Sequence, residues 1–151
     1  MKKILIICFF SFLLLSVAKA EDITLFDKNG EAIAYIAMDQ EMTIYMWDGE
    51  PVAYLVKKGP SENPKVDLFS IFGYNGKLLG WIKDGILRDK DGNATGFIKG
   101  AVNLITNMES MKSMKSMRPM KSMKEMEPMQ PMFTQNWSDI SLKYFLEEGK
   151  D

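Results

Sequence analysis

The amino-acid sequence predicts a mainly β protein: four repeated β-hairpins around one shared core, then an extended Met-rich arm and a short C-terminal helix. Three observations predict it. Four Asn-Gly or Asp-Gly dipeptides share one local context, Met recurs at every third position over residues 108–132, and a short amphipathic stretch follows Trp137. The 151 residues hold one Cys, no His and thirteen Met, with a formal net charge of −1.

The chain opens with an export signal. Lys2 and Lys3 precede an apolar run from Ile4 to Val17, and Ala18-Lys19-Ala20 puts small residues at the two positions a signal peptidase reads. The run is shorter than the roughly 20 residues a membrane span needs. Residues 1–20 are therefore expected to be removed. That leaves a chain beginning at Glu21, periplasmic or extracellular, with no transmembrane span. The only Cys, Cys8, lies inside the signal. Without Cys or His, the mature chain has no disulfide, no thiol nucleophile, no Ser-His-Asp triad and no zinc site of the usual kind.

Residues 21–107 form the repeat region. Gly30, Gly49, Gly76 and Gly92 each follow Asn or Asp. Four residues after each Gly stands a small residue: Ala34, Ala53, Gly80, Gly96. Next comes an aromatic, Tyr35, Tyr54, Trp81 or Phe97, and then an aliphatic, Ile36, Leu55, Ile82 or Ile98. Five residues before each Gly is another aliphatic: Leu25, Ile44, Ile71, Leu87. Asn-Gly and Asp-Gly supply the positive φ that a tight hairpin turn or its bulge requires. Alternating apolar residues on both sides read as paired strands. One hairpin is marginal in water, so four should assemble around a common core. The aromatics are expected to line that core or stack between hairpins, or else to form an exposed platform for a sugar or peptide. The small residues mark places where backbone or a ring comes close. Residues 59–64, rich in Gly, Pro, Ser and Asn, should be an exposed loop.

Four Asn/Asp-Gly-x-x-x-small-aromatic-aliphatic units after a signal peptide resemble the four-fold beta flower family of exported Bacteroidetes-type proteins. The resemblance covers about residues 21–100. It implies four hairpins around a pseudo-four-fold axis and carries no established activity and no catalytic residues.

Residues 108–132 place Met at 108, 111, 114, 117, 120, 123, 126, 129 and 132. A helix would wind this stripe around itself and a strand would scatter it. Polyproline II has three residues per turn and puts every Met on one edge, and Pro119, Pro128 and Pro131 suit it. Three uses of the ladder are open. It can be a low-complexity spacer, its Met edge can dock into an apolar groove on this domain or a partner, or its thioethers can bind Cu(I) or Ag(I) through residues such as Met111, Met114, Met117, Met120, Met123 and Met126. The missing His and the interleaved Lys112, Lys115, Arg118, Lys121 and Lys124 weigh against the metal.

Residues 133–151 contain the helix, expected from Trp137 to Gly149. Ser138 is its expected cap, Asp139 suits the positive end of the helix dipole, and Trp137 and Leu142 form a staple. Leu142, Phe145 and Leu146 make the apolar face. So short a helix needs a partner surface, on its own domain or on another protein.

No enzyme chemistry is legible. Asp27, Asp48, Asp89 and Asp91 sit at hairpin turns, where Asp is common for backbone reasons. Asp89-Lys90-Asp91-Gly92 lacks the terminal Glu of a calcium loop. No stretch is basic enough for a nucleic acid. The sequence predicts an exported, non-enzymatic interaction or structural module of the cell envelope, without a cofactor. An envelope protein is the expected partner of the tail and helix, and a Cu(I)- or Ag(I)-binding protein is the alternative.

Overall fold

A computed structural model describes residues 20–150. The signal run and Ala18 lie outside the described residues; Ala20 is exposed at their start. Eight strands follow: β1 Ile23–Phe26, β2 Ala32–Ala37, β3 Thr43–Met46, β4 Pro51–Lys57, β5 Phe69–Gly73, β6 Leu78–Lys83, β7 Ile86–Arg88 and β8 Ala94–Ile98. Each pairs antiparallel with its neighbour, and β1 pairs with β8 through Leu25↔Ile98 and Phe26↔Phe97, closing a barrel. Closure leaves no free sheet edge.

The four hairpins repeat one turn geometry. In the first, Gly30 N–H donates to Asp27 C=O at 2.9 Å, and Asp27 N–H to Glu31 C=O at 3.0 Å. The same pair recurs as Gly49 to Met46, Gly76 to Gly73 and Gly92 to Asp89, each with its partner bond. All four Gly have φ between 79° and 88°. The strand register shifts at Leu25/Phe26, Ile44/Tyr45, Ile71/Phe72 and Leu87/Arg88, the same place in every copy. A bulge closed by a left-handed Gly explains why Asn/Asp-Gly was the legible signal. The Asp27, Asp48 and Asp89 carboxylates accept turn N–H bonds. The connections between hairpins differ freely. Asp84 and Gly85, both at positive φ, make a two-residue link, whereas residues 58–68 form a loop tied by Asp67, which accepts from Ser61 and Leu68 N–H.

Alternation sorts the side chains. Leu25, Ala34, Ile36, Ile44, Ala53, Leu55, Ile71, Ile82, Leu87 and Ile98 fill the interior. An eight-stranded barrel has an interior just wide enough for side chains. Here the helix α1, Leu142–Glu147, adds Leu142, Phe145 and Leu146 to that same cluster. The small positions make room for it and for neighbouring backbone. A Cβ on Gly96 would meet the Leu142 side chain and the Phe26 carbonyl, and one on Gly80 would meet the Arg88 carbonyl. The C-terminal residues cross the turns of hairpins two and three: Asn75 Nδ2 donates to the Glu148 and Lys150 carbonyls, and Lys150 Nζ pairs with Glu50 at 2.9 Å.

The helix departs from the expected one. It is capped by Ser141, whose hydroxyl accepts from Tyr144 N–H, and not by Ser138. Backbone bonding decides this. Ala94 N–H donates to Asn136 C=O and Ser138 N–H to Ala94 C=O, which draws residues 136–138 out beside β8 and delays the helix. Trp137 then lies edge-on to Phe97, 6.3 Å between centroids, instead of stapling Leu142. The apolar face weighed for an outside partner is buried in the barrel.

Candidate functional site

The repeat aromatics are buried but lie on the outer face of the barrel, not in its interior. Tyr35, Tyr54, Trp81 and Phe97 are 1%, 3%, 1% and 0% exposed. They do not form an exposed platform. Three of them stack on the aromatic directly across the next strand: Tyr35 on Tyr45 at 5.7 Å, Tyr54 on Phe72 at 6.3 Å and Phe97 on Phe26 at 5.8 Å. In the remaining groove Arg88 stands where the others have a ring, opposite Trp81. Phe133 fills that gap, 6.5 Å from Trp81, with the Arg88 guanidinium 5.1 Å from its centre. Arg88 also donates to the Gly92 and Thr134 carbonyls.

Residues 105–134 cover these grooves. The segment runs past the four hairpin turns in order, stepping nine residues per hairpin. Asn107 N–H donates to Gly30 C=O at 2.8 Å, Ser116 to Gly49 at 2.8 Å, Glu125 to Gly76 at 2.9 Å and Thr134 to Gly92 at 3.1 Å. The carbonyls of Ile105, Met114, Met123 and Met132 occupy the space where a Cβ on those same four glycines would stand. The glycines therefore serve twice, for φ and for close approach of a second chain segment.

Period three gives the arm three edges. The first carries backbone donors, Ser113 and Ser122 bonding Trp47 and Tyr74 in addition to the four above. The second carries charge and faces the barrel. Lys112 Nζ is 4.3 Å from the centre of Tyr35, Lys121 Nζ 4.3 Å from Tyr54, and Lys124 Nζ 5.5 Å from Phe72. Lys115 spans Tyr35 and Tyr45 and pairs with Asp22 at 3.2 Å and Asp39 at 3.6 Å. Arg118 pairs with Glu41 at 3.2 Å and donates to the Gln40 carbonyl. Glu127 accepts from Trp81 Nε1 at 3.1 Å, from Ser70, and pairs with Lys58. The third edge is the methionines, and all nine point outward, 88–98% exposed.

Charges on this inner edge perturb one another. Burial works to raise the Asp22 carboxyl, but Lys112 and Lys115 outweigh it and hold the group below the ordinary range. Glu127 follows the same pattern, with Lys58, Ser70 and Trp81 outweighing burial. Burial first, and the Asp22 carboxylate second, push the Tyr35 hydroxyl up to about 12.

The arm is no free spacer, and its Met edge does not dock on this domain. The aromatic grooves take cations because ring faces are negative, which leaves the methionines to solvent. The inner-edge Lys and Arg were legible only as charges hostile to a metal; their period-three phase was visible, but the rings they meet were not. A family model described as 4-fold beta flower protein matches residues 23–146. The chain belongs to that family. The beta flower match runs beyond the hairpins and takes in the arm and most of α1. Comparison with curated proteins and with solved structures finds no match. The family and the fold together describe an exported β-repeat protein. Among the described residues no group of three or more His, Cys, Asp or Glu is placed to hold a metal ion, and no helix is long and apolar enough to cross a membrane. Nothing in the arrangement favours the Cu(I) or Ag(I) reading.

Proposed function

We propose that the protein is a non-enzymatic interaction module of the cell envelope, periplasmic or extracellular, whose contact surface is the outward Met edge. One observation carries this reading. Nine methionines at 88–98% exposure are displayed on one edge of a segment that its other two edges anchor to the barrel. Exposed apolar side chains in a continuous row mark contact surfaces more often than scattered ones do. Met is flexible and polarizable and adapts to irregular apolar partners. The barrel's role is to hold the arm in a fixed course, so that the partner meets a preorganised edge and loses less entropy on binding. The α1 face is already used inside the barrel, so partners are sought by the arm and not by the helix.

Co-sedimentation with isolated envelope tests the proposal. The wild-type protein should pellet with the envelope, and a chain carrying Met→Gln at all nine ladder positions should stay in the supernatant while melting normally. Equal sedimentation of the two would overturn the proposal.

A further inference from the structure

The methionines of this chain fall into two populations. Met46 is 6% exposed inside the barrel, and Met38 and Met42 pack against the same core. The nine ladder methionines, Met108 to Met132, are 88–98% exposed. Susceptibility of a thioether to oxidants follows its exposure. The two populations should therefore react at very different rates.

The fold is also insulated from what happens at the ladder sulfurs. The arm is held by main-chain bonds from Asn107, Ser116, Glu125 and Thr134, and by side chains on its inner edge. Among the described residues no hydrogen bond or ion pair of the arm is made by a Met side chain, and the ladder side chains stand almost wholly in solvent. Turning a ladder thioether into a sulfoxide makes it polar, and it already stands in water. The same change at Met46 would put a strong dipole into an apolar core.

We infer that the outward Met edge is a modification site, a row of nine thioethers that consumes hydroperoxides ahead of the barrel's own methionines and without loosening the arm. The inference does not depend on a binding partner. In each event a sulfur lone pair attacks one peroxide oxygen and the O–O bond breaks. That oxygen stays on sulfur as the sulfoxide, and the other leaves as water or an alcohol after taking the peroxide proton. Sulfur loses two electrons and the peroxide gains them. Methionine sulfoxide reductases, one for each epimer, would restore the edge.

Hydrogen peroxide is the probe, applied to the exported protein in rising amounts with intact-mass analysis and peptide mapping. The expected result is a plateau at nine added oxygens, all between Met108 and Met132. Tm should move by less than about 2 °C, and Lys121 and Lys124 should stay as protected from trypsin as before. Sulfoxide at Met46 accumulating in step with the ladder, or trypsin entry into the oxidised arm, would overturn the inference. A second measurement uses the nine-fold Met→Gln chain at nine equivalents of peroxide. At the endpoint, Met42 and Met46 should be oxidised severalfold more than in the wild type. Equal oxidation would show that the edge protects nothing. If that chain fails to fold, the insulation argument is wrong and the inference falls with it.

Discussion

Lys112 Nζ sits 4.3 Å above the centre of the Tyr35 ring and 2.9 Å from Asp22 Oδ2, so one arm cation serves a ring and a carboxylate together. Lys115 shares both partners, at 5.6 Å from the ring and 3.2 Å from Asp22 Oδ1. Two cations on one carboxylate make a small network at the start of the barrel. Isolated surface ion pairs contribute little, but a partly buried network over an aromatic face contributes more.

Lys112→Gln should cost about 0.5–1 kcal/mol in chemical denaturation, the usual scale of an exposed cation–π contact. Lys115→Gln should cost a similar amount. The double variant should cost more than the sum, because each single change leaves Asp22 one cation and the double leaves none. Strict additivity would mean that Asp22 is not what couples them.

Acid should release the arm before it unfolds the barrel. Asp22 and Glu127 are held below their ordinary values, since their bonds to Lys112 and Lys115, and to Lys58, Ser70 and Trp81, outweigh the opposing effect of burial. A carboxyl lowered in the folded state contributes stability that is complete above its ordinary pKa. That contribution is lost as pH falls through the folded value. The attachment should therefore be constant near neutrality and weaken below about pH 4. Trp81 donates its indole N–H to Glu127, so its fluorescence reports the release. An Asp22→Asn, Glu127→Gln chain should lose this acid transition; its persistence would point to other groups.

How much of this was legible follows from where each signal resides. The hairpins were readable because their turns impose φ on one residue, and Gly30, Gly49, Gly76 and Gly92 record that locally. The small residues were readable as close approaches, although only the fold shows that Gly96 admits Leu142. The outer position of Tyr35 and its equivalents was not readable, because alternation gives two faces and does not say which is inside. The course of the arm was hidden for a related reason. Period three is local, but the nine-residue step from Ile105 to Met114, Met123 and Met132 has meaning only against hairpins arranged in a ring. The helix cap was misplaced because a long-range pairing, Ala94 with Trp137, outweighed the local capping preference of Ser138.

Gly76→Ala should be more harmful than Gly100→Ala, although both positions have positive φ, 85° and 90°. The strain of a left-handed Ala, about 1–2 kcal/mol, is common to both. At Gly100 nothing lies within 4 Å of the added methyl, whereas at Gly76 it meets the Met123 carbonyl. Gly76→Ala should thus carry an additional arm-specific loss, seen as faster tryptic cleavage at Lys121 and Lys124. Equal effects of the two substitutions on cleavage would argue that the arm does not lie on that turn.

Phe145→Ala should destabilise the barrel itself. Phe145 is 2% exposed and belongs to the interior cluster with Ile36, Leu55 and Ile71. Removing a buried Phe side chain typically costs about 3–5 kcal/mol. Tyr144→Ala, on the exposed face at 68%, should cost well under 1 kcal/mol. Similar melting temperatures for the two variants would mean that α1 does not plug the barrel.

Deleting Met117-Arg118-Pro119 separates the two periods of the arm. It preserves the period of three, so every remaining Met stays in phase with the others and the donor and charge edges keep theirs. It breaks the step of nine, leaving a step of six from the attachment at Gly49, made by Ser116, to that at Gly76, made by Glu125. At about 3.1 Å per residue the segment is then about 9 Å short. The arm should hold upstream, with the Lys112 and Lys115 pairing to Asp22 intact, and come away downstream, exposing Lys121 and Lys124 to trypsin. Met117→Leu, which keeps the length, should leave the cleavage pattern unchanged. If the deleted chain stays protected throughout, the order of contacts along the hairpins does not depend on a nine-residue step.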